Sequence, residues 1–171
     1  MKIEKVIKFL KGKIENPRIG LPEEIFLFIS EITPLVNVEL LIKDENQKTL
    51  LSWRDDKYCG SGWHIPGGVV RFKETLEKRV QKVAETEIGT KIEFEPVPIA
   101  MNQIICDYET RGHGISILYK CFLLNKYILK NTGLAEGDRG YLKWHDSCPK
   151  NLIKLHEIYR KIIQETSYGN K

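Results

Sequence analysis

The stretch that most constrains this chain runs from Gly62 to Gly89 and reads Gly-Trp-His-Ile-Pro-Gly-Gly-Val-Val-Arg-Phe-Lys-Glu-Thr-Leu-Glu-Lys-Arg-Val-Gln-Lys-Val-Ala-Glu-Thr-Glu-Ile-Gly. An apolar strand, Trp63 to Ile65, enters the turn Pro66-Gly67-Gly68, a second short strand is expected over Val69 to Phe72, and a helix over Glu74 to Ile88. Leu76, Val80, Val83, Ala84 and Ile88 recur at helical spacing and define one buried face. Glycines ahead of a helix let backbone approach a ligand. Acids on that helix hold hard divalent cations, which neutralise phosphate oxygens. Gly67 and Gly68 with Glu74, Glu85 and Glu87 thus suggest a magnesium–diphosphate site, against the alternative of a solvated acidic helix face.

The flanking chain supplies layers on either side. Residues 4–15 carry Val6, Ile7, Phe9, Leu10 and Ile14 at helical spacing. The breaker Asn16-Pro17-Arg18-Ile19-Gly20 follows, and Leu21-Pro22-Glu23-Glu24 starts a second helix. Residues 33–54 read as a hairpin, two strands around the turn Asp44 to Lys48. Glu39 interrupts its apolar run, where an unpaired carboxylate is costly to bury, and an exposed edge position is the alternative. Arg54 ends the return strand, with a surface role as its alternative. Strands are expected near Ile92 to Phe94, Ile99 to Cys106, Ile115 to Leu124 and Tyr141 to Trp144, and a last helix from Asp146 or Ser147 to about Glu165. Mixed strands with helices to cover both faces give an α/β layered domain.

Composition limits the partners. No apolar run approaches the roughly 20 residues of a membrane span, and Met-Lys-Ile-Glu-Lys is no leader pattern, so no membrane partner and a cytoplasmic address are expected. The net charge of +4 is carried by Lys2, Lys5, Lys8, Lys11, Lys13 and Arg18 against Glu4 and Glu15. That reads as a solvated helix face, and no stripe of aromatic and basic residues points to nucleic acid. Cys59, Cys106, Cys121 and Cys148 form no Cys-x-x-Cys pair, which argues for free thiols over zinc.

Gly68, five residues, Glu74, seven residues, Lys82, then Glu87 and Gly89 resembles the Nudix box. Trp63, Pro66, Gly67 and Trp144 also fit. The resemblance implies an α/β/α sandwich around a mixed sheet over residues 33–171. Residues 1–32 lie outside it as a helical extension, whose apolar faces offer a homodimer contact. Val83 and Thr86 stand where that family places two metal-binding glutamates, and Lys82 stands for its arginine. One branch shows a similar loss, the GDP-mannose mannosyl hydrolases, which bind one magnesium and cleave the sugar C1–oxygen bond. Similarity to that branch implies a nucleoside diphosphate sugar as substrate and one Mg2+, with Mn2+ as an alternative. Glu39 then matches a sugar-contacting acid, Arg54 a diphosphate-binding arginine and His113 a substrate-contacting histidine, with Arg71 standing in for an arginine absent at Val69. Gly67, Glu87 and Asp138 are expected to hold the metal, and Lys82 to pair with and orient Glu74. That branch has a Gln-His pair where this chain has Asp138-Arg139. Arginine is no base, its pKa staying above 12, so Arg139 is expected to clamp phosphate, and Asp138, Glu136, His113 or metal-bound hydroxide to serve as base.

Overall fold

A computed structural model describes residues 2–124 and 126–165. Two helices, α1 (Ile3–Gly12) and α2 (Glu23–Ile32), precede strands β1 (Leu35–Ile42), β2 (Thr49–Asp56), β3 (Gly60–His64) and β4 (Gly67–Val69). Helix α3 (Leu76–Val83) passes directly into a π-helical turn, Ala84–Ile88, closed by Gly89 in the left-handed region at φ 82°. Strands β5 (Ile92–Phe94), β6 (Ala100–Ile105), β7 (His113–Leu123) and β8 (Leu142–His145) follow, then a 3-10 segment, Lys154–Tyr159, and a short helix α4 (Arg160–Gln164).

The strands form two sheets. The larger is mixed, ordered β4-β1-β7-β5, with β6 also paired to β7. Strands β1 and β7 run parallel, from Leu35 opposite Gly114 to Ile42 opposite Cys121. The smaller sheet is antiparallel, β3-β2-β8. A parallel pair needs cover on both faces, and β1 supplies apolar side chains to both. Val38, Leu40 and Ile42 pack with Val80, Val83, Ala84 and Ile88 of the α3 layer. Leu41 packs with Leu152, Tyr159 and Ile163 of the C-terminal segment. The result is the expected helix–sheet–helix layering around a mixed sheet, preceded by two helices. Helix α1 buries no residue, whereas α2 buries Ser30.

Three sequence expectations change. Residues 33–54 are not a hairpin. Strand β1 is already flanked by β4 and β7, so β2 crosses to the second sheet and only the bridge Lys43–Thr49 remains. The strand expected over Val69 to Phe72 stops at Val69, because the Arg71 N–H turns to donate to Glu74 Oε2 at 2.8 Å. The last helix begins only at Lys154, as a 3-10 segment, and turns α-helical at Arg160. Trp63 N–H donates to Asn151 O and Ile153 N–H to Trp63 O, both at 2.9 Å, so this backbone is engaged in extended pairing.

Val83, at one of the box positions that lost its acid, is 2% exposed and packed against Gly68, where an added Cβ would meet Val83 Cγ2 at 2.9 Å. Val83→Glu is expected to cost about 3 kcal/mol or more in urea denaturation, from burying a carboxylate without a partner.

Candidate active site

A cavity of about 490 Å3 opens where the two sheets meet the C-terminal end of the α3 layer. Its walls are Asn37 and Glu39 of β1, Ser52, Trp53 and Arg54 of β2, His64, Gly67 to Val69, Thr86 and Glu87 of the π turn, and Arg111, Lys130, Leu134, Arg139, Gly140 and His156. That size suits a nucleotide-like ligand.

Two carboxylates dominate the floor. Glu39 sits mid-strand, 6% exposed, opposite Gly67 in the β1–β4 register. Any side chain at Gly67 would collide with the Glu39 carboxylate, so this glycine is required by close approach. Ser116 acts on the Glu39 carboxyl, and the Tyr159 hydroxyl lies 2.5 Å from Ser116 Oγ. His156 Nδ1 accepts the Ile65 N–H at 3.0 Å. In the neutral ring its proton is therefore on Nε2, which faces Glu39 Oε1 at 3.8 Å. Glu87 accepts a hydrogen bond from the Gly67 N–H. Glu39 Oε2 and Glu87 Oε2 are both sealed from solvent and have no hydrogen-bond partner.

The electrostatics follow from that burial. Desolvation pushes Glu87 up to about 7 against the pull of the Gly67 N–H, Arg54 and Arg139. Desolvation first, and the charge of Glu87 second, push Glu39 well above the carboxylate range. Burial and then Arg54 hold His64 down at about 4, and burial holds His156 well below its usual value. Arg54 is itself steered by Asp56, whose Oδ2 lies 2.5 Å from Nε. Burial works against that acid, but Arg54 and the N–H groups of Cys59 and Tyr58 keep its carboxyl at about 2. Two unpartnered carboxylate oxygens lining one cavity are hard donors of the kind that suit a hard divalent cation.

Of the residues singled out in the sequence, Glu39, Arg54, Gly67, Glu87 and Arg139 meet at this cavity. Others lie elsewhere. Asp138 is exposed and its Oδ2 accepts the Ala135 N–H at 2.7 Å, which closes its own turn. Glu136 pairs with Lys143 at 2.9 Å, and His113 Nε2 lies 2.9 Å from Gln103 Nε2. Arg71 points toward Gly20, about 3.9 Å from where a Cβ there would sit. Lys82 pairs with Glu85 at 3.5 Å, while Arg79 takes Glu74 at 2.7 Å. Glu74 precedes the helix, so Arg79 of the first turn of α3 can fold back over the turn in which Glu74 accepts the Arg71 N–H, whereas Lys82 lies in the last turn. Among the described residues, no group of three or more His, Cys, Asp and Glu comes together as a metal site. The four cysteines are free thiols, as expected.

Sequence reasoning missed His64, His156, Arg111 and Lys130. His156 had a signal: Ile153, His156 and Tyr159 recur every third residue, the 3-10 period, and all are buried. Lys130 is brought in by Gly89, whose missing Cβ leaves room for the lysine stem.

No family model matches the chain. A solved MutT Nudix hydrolase from Burkholderia pseudomallei superposes with a TM-score of 0.59 over 75% of this chain and 97% of that one, at 21% identity. The chain has the Nudix hydrolase fold. A solved UDP-X diphosphatase matches with a TM-score of 0.55 and 19% identity over 94% of this chain and 67% of that chain, so the likeness runs into the N-terminal helices. The low-salt glycan biosynthesis protein Agl8 of Haloferax volcanii is 31% identical over 85 residues, which is 50% of this chain and 54% of that protein's length. On this Nudix fold the Gly67-Gly68 turn and the Glu87 turn sit together at the cavity floor. No helix among the described residues is long and apolar enough to cross a membrane.

The raised pKa of Glu87 carries a stability consequence. Its folded value, about 7, exceeds the ordinary 4.5. Its contribution is therefore full below about pH 4.5 and is lost as pH rises through about 7. In metal-free urea denaturation, Glu87→Gln is expected to be more stable than the parent above pH 7, by up to about 3 kcal/mol at ~1.4 kcal/mol per pH unit. The two proteins should converge below pH 5.

Proposed function

We propose that the chain is a magnesium-dependent hydrolase of a nucleoside diphosphate sugar, with water attacking sugar C1. The observation that carries this reading is the pair of sealed, unpartnered carboxylate oxygens of Glu39 and Glu87, facing a cavity walled by Arg54 and Arg139. Glu87 with the Gly67 carbonyl would hold one Mg2+ or Mn2+, and that ion supplies neutralisation of diphosphate charge. Arg54 and Arg139 clamp the diphosphate oxygens. Glu39 in its ionised form, its proton affinity raised by burial, takes the proton from the attacking water. The water oxygen bonds to C1, the C1–oxygen bond breaks, and its electron pair leaves with the nucleoside diphosphate. Products are nucleoside diphosphate and free sugar. Near Glu39, Ser116 and Tyr159 pair with each other and offer no competing negative charge.

The single box carboxylate supports attack at carbon over attack at phosphorus, since the latter usually draws on more metal. The alternative products, nucleoside monophosphate and sugar phosphate, define the ordinary pyrophosphohydrolase. A relative named for glycan biosynthesis and a structural neighbour named as a UDP-X diphosphatase support a sugar nucleotide as ligand. Among the described residues no group of three metal-binding side chains comes together, and this favours a second reading, a module that binds the nucleotide sugar without cleaving it. A cytoplasmic address belongs to the same proposal. So does a homodimer through the N-terminal helices, supported by exposed Ile7 and Phe9.

Phosphorus NMR of the protein with Mg2+ and a panel of nucleotide sugars tests this. Nucleoside diphosphate is the expected product, monophosphate supports attack at phosphorus, and binding without turnover supports the module. Glu87→Gln is expected to reduce turnover at least about tenfold, and Glu39→Gln by about a hundredfold or more.

A further inference from the structure

Arg111 is not accounted for by the diphosphate site. It lies in the loop between β6 and β7 and lines the cavity. Three features hold it there. Its backbone adopts a left-handed φ of 60°, costly for a non-glycine residue. Its N–H donates to Ser30 Oγ of α2 at 3.0 Å, and Ser30 is 4% exposed. Its guanidinium sits over two rings, 5.7 Å from Phe26 of α2 and 5.1 Å from Tyr58. Glu23 of α2 braces the same place, pairing with Lys57 at 2.9 Å and accepting the Tyr58 hydroxyl.

The charges around it are unbalanced. Arg54, Arg111, Lys130 and Arg139 line the cavity against two carboxylates, Glu39 and Glu87. Among the described residues, Arg111, Lys130 and Arg139 form no ion pair, and the two buried histidines are held neutral. Arg111 is anchored against the α2 side by Ser30, Phe26 and Tyr58, whereas Arg54 is held by Asp56 of β2. Arg111 therefore addresses a part of the ligand away from the diphosphate. A guanidinium seated over aromatic rings keeps its edge N–H groups available to an oxyanion.

We propose that Arg111, positioned by helix α2, is a specificity residue that binds an additional anionic group of the substrate, distal to the diphosphate. This rests on the nucleoside diphosphate sugar reading and makes the N-terminal extension part of the substrate site. The anion is a carboxylate on the sugar or a phosphate on the ribose, and both present the same paired oxygens to the guanidinium.

Calorimetry on the full chain with Mg2+ tests it with matched pairs: UDP-glucose against UDP-glucuronate, and ADP-ribose against 2′-phospho-ADP-ribose. The acidic member of one pair is expected to bind about tenfold tighter or more, the worth of one charge-assisted contact. Preference in the first pair assigns a sugar carboxylate, and preference in the second a ribose phosphate. Arg111→Gln is expected to collapse that preference to about unity, with the loss falling on the acidic member, and Arg111→Lys to retain part of it. Phe26→Ala, which keeps the charge but frees the side chain, should reduce the preference with a smaller change in the neutral ligand. Equal binding of acidic and neutral members by the parent protein overturns the inference and leaves the nucleotide-sugar reading standing. A loss in Arg111→Gln that is equal for both members, together with a lowered Tm, also overturns it, because that is a structural strut. Failure of every nucleoside diphosphate ligand to bind overturns both.

Discussion

A carboxylate buried in the middle of a parallel strand pair is the constraint on which this structure turns. Glu39 lies between β4 and β7, where neither neighbour supplies a cation. Its close approach to the β4 backbone forbids any side chain at Gly67, and the Gly67 N–H is in turn given to Glu87. One glycine thus brings two acids from different layers to one floor. The arrangement is unfavourable by itself, since each carboxylate keeps an oxygen without a partner. Strain of this kind persists when the surrounding core over-determines it. Here Val38, Leu40 and Leu41 lock β1 from both faces.

Helix α3 contributes through the way it ends. Its last turn widens to a π turn, with the Gly89 N–H reaching back to Ala84 O at 2.8 Å. Such turns displace a side chain from its α-helical direction and recur at functional sites. This one sets Ile88 in the core and Glu87 at the cavity wall. The places of the two absent acids are occupied differently. Val83 belongs to the core, and the Thr86 hydroxyl is spent on Lys82 O at 2.8 Å. The helix has therefore become a packing element with one acid left at its tip.

Much of this was legible in the sequence because it is local. The Gly-Gly turn, the apolar face from Leu76 to Ile88, and Glu87 before a terminal glycine are periodic or adjacent features, and the layered fold follows from them. The partners of β1 were not legible. An apolar run, a polar turn and another apolar run read as a hairpin, and only the demand for two neighbours with cover on both faces sends β2 to another sheet. Lys82 was assigned to Glu74 by analogy of position, whereas Arg79 has the reach to fold back over the turn. The loop residues Asp138 and Glu136 carried the right chemistry but are consumed by their own turn and by Lys143. His156 and Arg111 reach the site through tertiary contacts with β1 and α2, which no spacing announces, apart from the three-residue period around His156.

The account stands on a cation held at Glu87, beside the carboxylate of Glu39. Crystals grown with Mn2+ and examined by anomalous scattering test that most directly. The account predicts a single strong peak beside Glu87 Oε2 within the cavity, lost in Glu87→Gln. A peak at an acid outside the cavity, such as Asp44 or Glu157, or an empty cavity at saturating Mn2+, would contradict it.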